Sequence, residues 1–264
     1  MAQTKRKAPE DQGALQGALL TSGEQQQVDS EFAERGIIAR ILHGVWEEGR
    51  RHELPDQDWV WIPGPLYWLQ NFTLTFDEHW ERRKKDPPAR AYKRFPRKRY
   101  FPIIFTRLVK EPLLWIPKSR EMMLSWALAG YSTWAAQFHQ RVRAIFQSQK
   151  QEKSNELVTG RGSEGYVKTL YSRQDEWLQR RYPLASRLAD MPADKFTWLH
   201  QSLVQGMAGG PDQVRSYHPT IFIMDEAAHI DGAEDSYNAA KPVADQIILT
   251  SSTAPSWFGD HTEL

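Results

Sequence analysis

Cysteine is absent from all 264 residues, which excludes disulfide scaffolds, Cys-ligated zinc, iron–sulfur clusters and thiol nucleophiles together. The absence fits a reducing compartment. Also missing is any run of about 18 uninterrupted apolar residues, the length a membrane-crossing helix needs. The nearest stretch, Trp59 to Leu69, is broken by Pro63, Gly64 and Pro65. Lys5, Arg6 and Lys7 are followed by polar residues rather than an apolar segment, so no secretory signal is legible and a soluble protein is expected. There is no internal repeat. Nor does either sign of charge dominate, since 34 Lys and Arg meet 33 Asp and Glu for a net +1.

That neutral total conceals an uneven distribution. Ten basic residues and one acid, Asp86, fall between Arg82 and Arg99, so this segment carries +9 and the remainder of the chain −8. Such a run is either a phosphate-contacting surface or a solvated loop. Upstream, residues 1–27 are rich in Gln and Gly and read as a flexible tail. Between Ser30 and Glu48, apolar residues such as Phe32, Ile37, Ile41 and Val45 recur at three- and four-residue spacing, which predicts an amphipathic helix. The aromatic stretch from Trp59 to Trp80 suits core or a seam between regions better than a base-stacking platform.

Beyond the basic segment, short apolar runs alternate with helical stretches. Strands are predicted at Leu113–Ile116, Val142–Phe146, Thr220–Met224 and Gln246–Thr250, with helices over about Ser125–Gln140 and near Arg173–Arg181. Alternation of this kind indicates an α/β domain with a mostly parallel sheet flanked by helices. Such sheets are covered on both faces, which accounts for a run as uniformly apolar as Ile221-Phe222-Ile223-Met224. The length accommodates one large domain or a domain with a smaller companion.

Three segments carry chemistry. Asp225 and Glu226 directly follow the strand ending at Met224, at the edge where open α/β sheets bind ligands. Two acids there suit a nucleotide hydrolase, the first holding Mg²⁺ and the second polarising water, or else form a solvated strand end before a helix cap. Secondly, Pro117-Lys118-Ser119-Arg120-Glu121-Met122-Met123-Leu124-Ser125 joins a strand to a helix. Aligning Ser125 with the hydroxyl of G-x-x-x-x-G-K-[ST] puts Lys118 and Met123 at the two glycines and Leu124 at the lysine, so the regular pattern fails. The physical requirements survive in part: backbone N–H groups at a helix start, two cations and a hydroxyl suited to Mg²⁺. Thirdly, Thr250-Ser251-Ser252-Thr253-Ala254-Pro255 places hydroxyls just past a strand, where they would contact a γ-phosphate or simply form a loop.

In this order, the three segments resemble the ATPase domain of phage terminase large subunits, which package DNA into procapsids. Lys118-Ser119-Arg120-Glu121-Met122-Met123-Leu124-Ser125-Trp126 is similar to that family's deviant Walker A loop. Asp225-Glu226-Ala227-Ala228 is similar to its Walker B acids, and Ser251-Ser252-Thr253-Ala254-Pro255 to its coupling motif. Phe146-Gln147-Ser148-Gln149-Lys150 and the turn Gly210–Tyr217 add weaker matches. The resemblance spans about residues 95–264 and implies a P-loop NTPase fold of the ASCE type, preceded by an N-terminal helical region over 28–94. It implies ATP and Mg²⁺ as cofactors, with residues 118–125 lining the nucleotide site: Lys118, Ser119, Arg120, Glu121, Met122, Met123, Leu124 and Ser125. Lys118 and Arg120 would contact the β- and γ-phosphates, Ser125 and Asp225 would hold the metal, and Glu226 would position water. Ser252 and Thr253 would couple hydrolysis to movement, and Arg215 would serve as sensor or DNA contact. Tyr100, with Phe95 and Phe101, would pack either on adenine or in the core.

Implied partners are double-stranded DNA, the portal protein, the small terminase subunit and further copies in a ring, in host cytoplasm and transiently at the procapsid. An arginine finger would come from Arg173, Arg180 or Arg181. The sequence departs from the pattern at Met123, where the family often has Gly, so a thioether is expected to crowd the phosphate path. No segment matches the family's nuclease domain, so no nuclease activity is expected of these residues. Two other readings stay open: a scaffold or DNA-binding module that no longer hydrolyses, and a DEAD/DEAH-type helicase, in which His229 would be displaced by the extra Ala.

Overall fold

The strands predicted from apolar runs do assemble into one sheet. The structure, a computed structural model, describes residues 50–54, 57–77, 91–160, 165–252, 254 and 256–262. These belong to one compact unit, Gly44–Leu264. The tail 1–27, the helix expected over Ser30–Glu48, basic residues 82–90 and coupling residue Thr253 lie outside the described residues.

In chain order the described elements begin with an antiparallel pair, β1 (Arg50–Leu54) and β2 (Gln57–Ile62), and helix α1 (Pro65–Phe72). A two-residue pair, β3 (Thr75–Phe76) with β4 (Tyr92–Lys93), precedes α2 (Tyr100–Lys110). There follow β5 (Leu113–Lys118), α3 (Leu124–Phe138), β6 (Arg143–Ser148), α4 (Gln151–Leu157), α5 (Tyr166–Ser172) and α6 (Glu176–Arg181). The rest comprises β7 (Lys195–Thr197), β8 (Leu203–Ala208), α7 (Pro211–Tyr217), β9 (Ile221–Asp225), α8 (Ala233–Ala240), β10 (Gln246–Ser252) and α9 (Trp257–Asp260).

Six strands form the main sheet in the order β5-β10-β9-β6-β8-β7. Five are parallel and β7 runs antiparallel to β8. The α/β class is therefore as expected. The order decides where the site lies: chain leaving β5 through α3 skips two positions to reach β6, and β9 and β10 later fill the gap. As a result β10 lies between β5 and β9, and the ends of three strands distant in sequence meet at one edge.

Side-chain alternation divides the sheet between two layers. Ile145, Met207, Phe222, Met224, Ile247 and Leu249 bury one face against Val214 of α7, Tyr237 of α8 and Phe258 of α9. Asp225, next to Met224, points to the other face and meets the start of α3. That helix buries 13 of its 15 residues, so it is apolar all round rather than amphipathic and sits as an inner layer. Gly130 lets α1 approach it, since a Cβ there would lie 2.7 Å from Leu69 Cδ2. Tyr67, Trp68 and Phe72 of α1 are buried, with the Trp68 ring edge-on to Phe138 at 5.9 Å, as the core reading of this aromatic stretch expected.

Strands β7 and β8 escape the sequence reading because β7 has three residues and β8 contains Gln205 and Gly206, which interrupt the apolar run. Gly206 is required there by close approach of α4, as its Cβ would meet Ser154 O at 2.6 Å. The expected turn at Gly210–Tyr217 is instead helix α7, opened by Pro211 at its first position, where a missing N–H costs nothing. The helix predicted near Arg173–Arg181 starts at Glu176, and Arg173 lies in the break after α5.

Candidate nucleotide and metal site

Lys118 is the last residue of β5, and the loop after it enters α3 with two non-glycine residues in the left-handed region, Glu121 at φ 63° and Met123 at φ 53°. Met123 is the N-cap of α3. This accounts for the glycine common at that position in the resembled loop: the backbone needs a positive φ, which methionine adopts at a cost of roughly 1–2 kcal/mol. Tyr100, at the start of α2, donates its hydroxyl to Met122 O at 3.1 Å and so braces the loop. Burial raises the pKa of that hydroxyl.

Opposite the loop, β9 ends in Asp225 and the chain turns sharply, with Glu226 itself left-handed at φ 59°. The turn sends the two acids to different partners. Asp225 Oδ2 accepts a hydrogen bond from Ser125 Oγ at 2.9 Å, joining the acidic strand to the first turn of α3. Its other oxygen, Oδ1, is buried without a hydrogen-bond partner. Burial raises the Asp225 pKa, and the neighbouring Glu226 charge adds to it, against the opposing Lys118 charge and the hydrogen bonds from Ser125 and the Glu226 backbone.

Glu226 Oε1 pairs with Lys118 Nζ at 2.6 Å. Its Oε2 accepts from Ser252 N at 3.2 Å and from the Ser251 and Ser252 hydroxyls at 3.3 Å. Partial burial of Glu226 works to raise its pKa, but the Lys118 hydrogen bond and charge, with those from Ser252 and Ser251, outweigh it and the net shift is downward. Glu226 is thus held ionised between the end of β5 and the end of β10. Ser251 Oγ also accepts from Ala228 N at 3.1 Å, and His229 Nε2 lies 3.4 Å from Ser252 Oγ. Ser251 belongs to the coupling motif read from the sequence, where only Ser252 and Thr253 were given a role. Ser251 and Ser252 have opposite strand parity, and both reach Glu226 only because its left-handed turn brings the carboxylate over the end of β10.

The structure therefore brings together Lys118, Ser125, Asp225, Glu226 and Ser252, with Tyr100 and residues 119–124 forming the loop around them. Arg120 belongs to this loop but is exposed and bonds to no described residue. Arg215 is elsewhere, exposed on α7 with Asp212 at 3.5 Å. Phe95 and Phe101 correct the adenine expectation: they are 1% and 0% exposed, with rings 4.4 Å apart in the core. Arg173 lies 4.0 Å over the Tyr92 ring and Arg180 faces Glu176 at 3.4 Å. Arg180 and Arg181 share a cavity with Phe138 and His139 at the far end of α3 from Ser125. In the described part of the basic segment, Lys93 pairs with Asp77 at 2.5 Å, Arg94 donates to Thr73 O and Arg97 to Asn71 Oδ1, so these cations serve local structure.

A divalent cation fits this donor set. A hydroxyl and a carboxylate are 2.9 Å apart, the carboxylate keeps one buried oxygen unpartnered, and Mg²⁺ characteristically takes few protein oxygens and completes its shell with water and phosphate.

The fold and site define an α/β protein in which a strand–loop–helix turn faces a strand that ends in paired acids. No family profile matches the chain, and no curated protein does. Among solved structures it is similar to the large terminase ATPase domain of Thermus phage P74-26, in a point variant at 13% identity and TM-score 0.40, covering 62% of this chain and 68% of that one. A second structure of that phage domain is similar at 15% identity and TM-score 0.39, covering 56% and 63%. No described helix is long and apolar enough to cross a membrane.

Proposed function

We propose that this chain is an ATP-hydrolysing motor domain of a viral terminase large subunit, driving double-stranded DNA into a procapsid. The observation that carries the reading is the double junction at the sheet edge: Ser125 with Asp225, and Glu226 held between Lys118 and Ser252. The order of the three motifs in the sequence supports the motor in particular.

In this reading the backbone N–H groups at the start of α3 and the side chains of Lys118 and Arg120 receive the nucleotide phosphates. Ser125 and Asp225 hold Mg²⁺, which neutralises phosphate charge. Lys118 has one ammonium group to offer, so engagement of phosphate draws it from Glu226. The freed carboxylate then orients a water molecule for attack in line with the leaving group. Loss of the γ-phosphate returns Lys118 to Glu226, and the Ser251 and Ser252 bonds transmit the exchange to β10 and the segment after it. DNA, portal, small-subunit and neighbouring-copy contacts belong to the same proposal, as does docking at the procapsid from host cytoplasm.

The test is Glu226→Gln. The variant keeps binding of a Mg²⁺–ATP analogue and loses steady-state phosphate release by a factor on the order of 100 or more. Unchanged turnover removes Glu226 from the mechanism. Absence of analogue binding in the unaltered chain favours the non-hydrolysing scaffold.

A further inference from the structure

Two buried oxygen atoms at the site have no partner, and they belong to neighbouring strands. Asp225 Oδ1 is one; Thr250 Oγ1, on a residue with 0% exposure, is the other. Thr250 pairs in register with Asp225 across the parallel β10–β9 ladder, so the two side chains stand on the same face of the sheet. That is also the face on which Ser125 meets Asp225. Leaving a buried hydroxyl and a buried carboxylate oxygen unpaired costs about 1–3 kcal/mol each, and native proteins satisfy such groups with water or an ion.

The strand on the other side of β9 also ends in a hydroxyl-bearing residue. Gln147 of β6 pairs with Met224, so Ser148 comes level with Asp225 on its other side. A hydroxyl-bearing residue therefore flanks the acid on each side, although β10 and β6 are otherwise apolar at their centres: Ile247, Ile248 and Leu249 in one, Ala144, Ile145 and Phe146 in the other.

We infer that Thr250 is a positioning residue of the metal site, its hydroxyl holding a water of the hydrated divalent cation that Ser125 and Asp225 bind. This rests on the nucleotide-site reading above. Thr250 does not replace a ligand. It would act through a water, in the way that second-sphere groups orient the ligands of other metal sites.

The test uses the full chain, Mn²⁺ as probe and a non-hydrolysable ATP analogue, with free Mn²⁺ read by electron paramagnetic resonance. Thr250→Val, which keeps the shape and removes the hydroxyl, weakens analogue-dependent Mn²⁺ binding roughly tenfold, in the range seen for second-sphere partners. Thr250→Ser stays within about twofold of the unaltered chain on the same comparison. Binding of the analogue in EDTA is the same for all three. If the Val chain does not fold, Thr250→Ala removes the same hydroxyl and replaces it. Mn²⁺ binding by the Val or Ala chain equal to that of the unaltered chain overturns the role of Thr250 and leaves the nucleotide site standing. No analogue-dependent Mn²⁺ binding by the unaltered chain overturns both.

Discussion

The two edges of the main sheet treat their polar groups differently. At the amino edge, Gln246 Nε2 donates to Leu108 O at 2.6 Å and Glu111 O at 2.7 Å, while its Oε1 accepts from Tyr131 Oη at 3.0 Å. Ser202 Oγ donates to His139 O and accepts from Val142 N, and Thr220 Oγ1 accepts from Arg143 N. At the carboxyl edge, Gln147 Oε1, Asp225 Oδ1 and Thr250 Oγ1 are buried without partners. Backbone strain does not separate the edges. Arg141, Gln201 and His218 are left-handed where the chain enters strands, as Glu121, Met123 and Glu226 are where it leaves them. Polar satisfaction is therefore the informative difference: among the described residues the amino edge closes these hydrogen bonds internally, whereas the carboxyl edge leaves three buried oxygens unpaired beside its internal bonds.

The sharpest way to break this comparison is to neutralise the acid at the open edge. Asp225→Asn abolishes Mg²⁺-dependent phosphate release, a loss on the order of 100-fold or more. It also raises the melting temperature of the ligand-free chain at neutral pH, because a buried carboxylate with a raised pKa is destabilising when ionised. A melting temperature that falls would mean that the acid serves structure. The closed edge answers oppositely. Gln246→Leu strands two carbonyls and the Tyr131 hydroxyl, costing about 3 kcal/mol or more in urea unfolding, since each of the three orphaned groups costs about 1–3. Analogue binding per folded molecule is unchanged.

Acidification separates the two acids within the open edge. Glu226 has a lowered pKa in the folded state, so its stabilising contribution is full above its unfolded value and disappears as pH falls through the folded one. Asp225 is raised, so the native state takes up its proton first and gains stability as pH falls through its folded value toward its unfolded one. The two effects oppose each other in the unaltered chain. In Asp225→Asn only the Glu226 loss remains, and the urea midpoint falls more steeply on acidification than in the unaltered chain. Parallel profiles would show that the acids do not titrate in opposite directions.

The closed edge and the core were largely legible in sequence, because apolar periodicity reports burial directly. Ile221–Asp225 is the predicted run Thr220–Met224 shifted by one residue, and Gln246–Ser252 extends the predicted Gln246–Thr250 by two, in both cases onto polar residues that periodicity cannot place. Lys118, Asp225 and Glu226 were legible as residue types at strand ends and Ser125 at a helix start, and the strand order then made them neighbours. What the sequence withheld is pairing. Nothing in it says that Lys118 engages Glu226 rather than standing free, or that Thr250 is level with Asp225, since both follow from β10 inserting between β5 and β9. Phe95, Tyr100 and Phe101 illustrate the limit well: three close aromatics, two in the core and one on the loop, distinguished only by which face of α2 and its approach they occupy.

Met123 offers the smallest and most local test. Its left-handed backbone costs roughly 1–2 kcal/mol that glycine would not pay, but glycine also loses more entropy on folding, by roughly 0.5–1 kcal/mol. The two nearly cancel, so Met123→Gly changes the unfolding free energy by under about 1 kcal/mol. The same substitution removes a half-buried thioether from the loop proposed to receive the phosphates, so analogue affinity holds or rises. An unfolding loss above about 2 kcal/mol would instead place the Met123 side chain among the packing residues, since that is what deleting a buried Met costs. The loop would then be a core element that happens to be strained, and the open edge would begin at Ser125 rather than at Lys118.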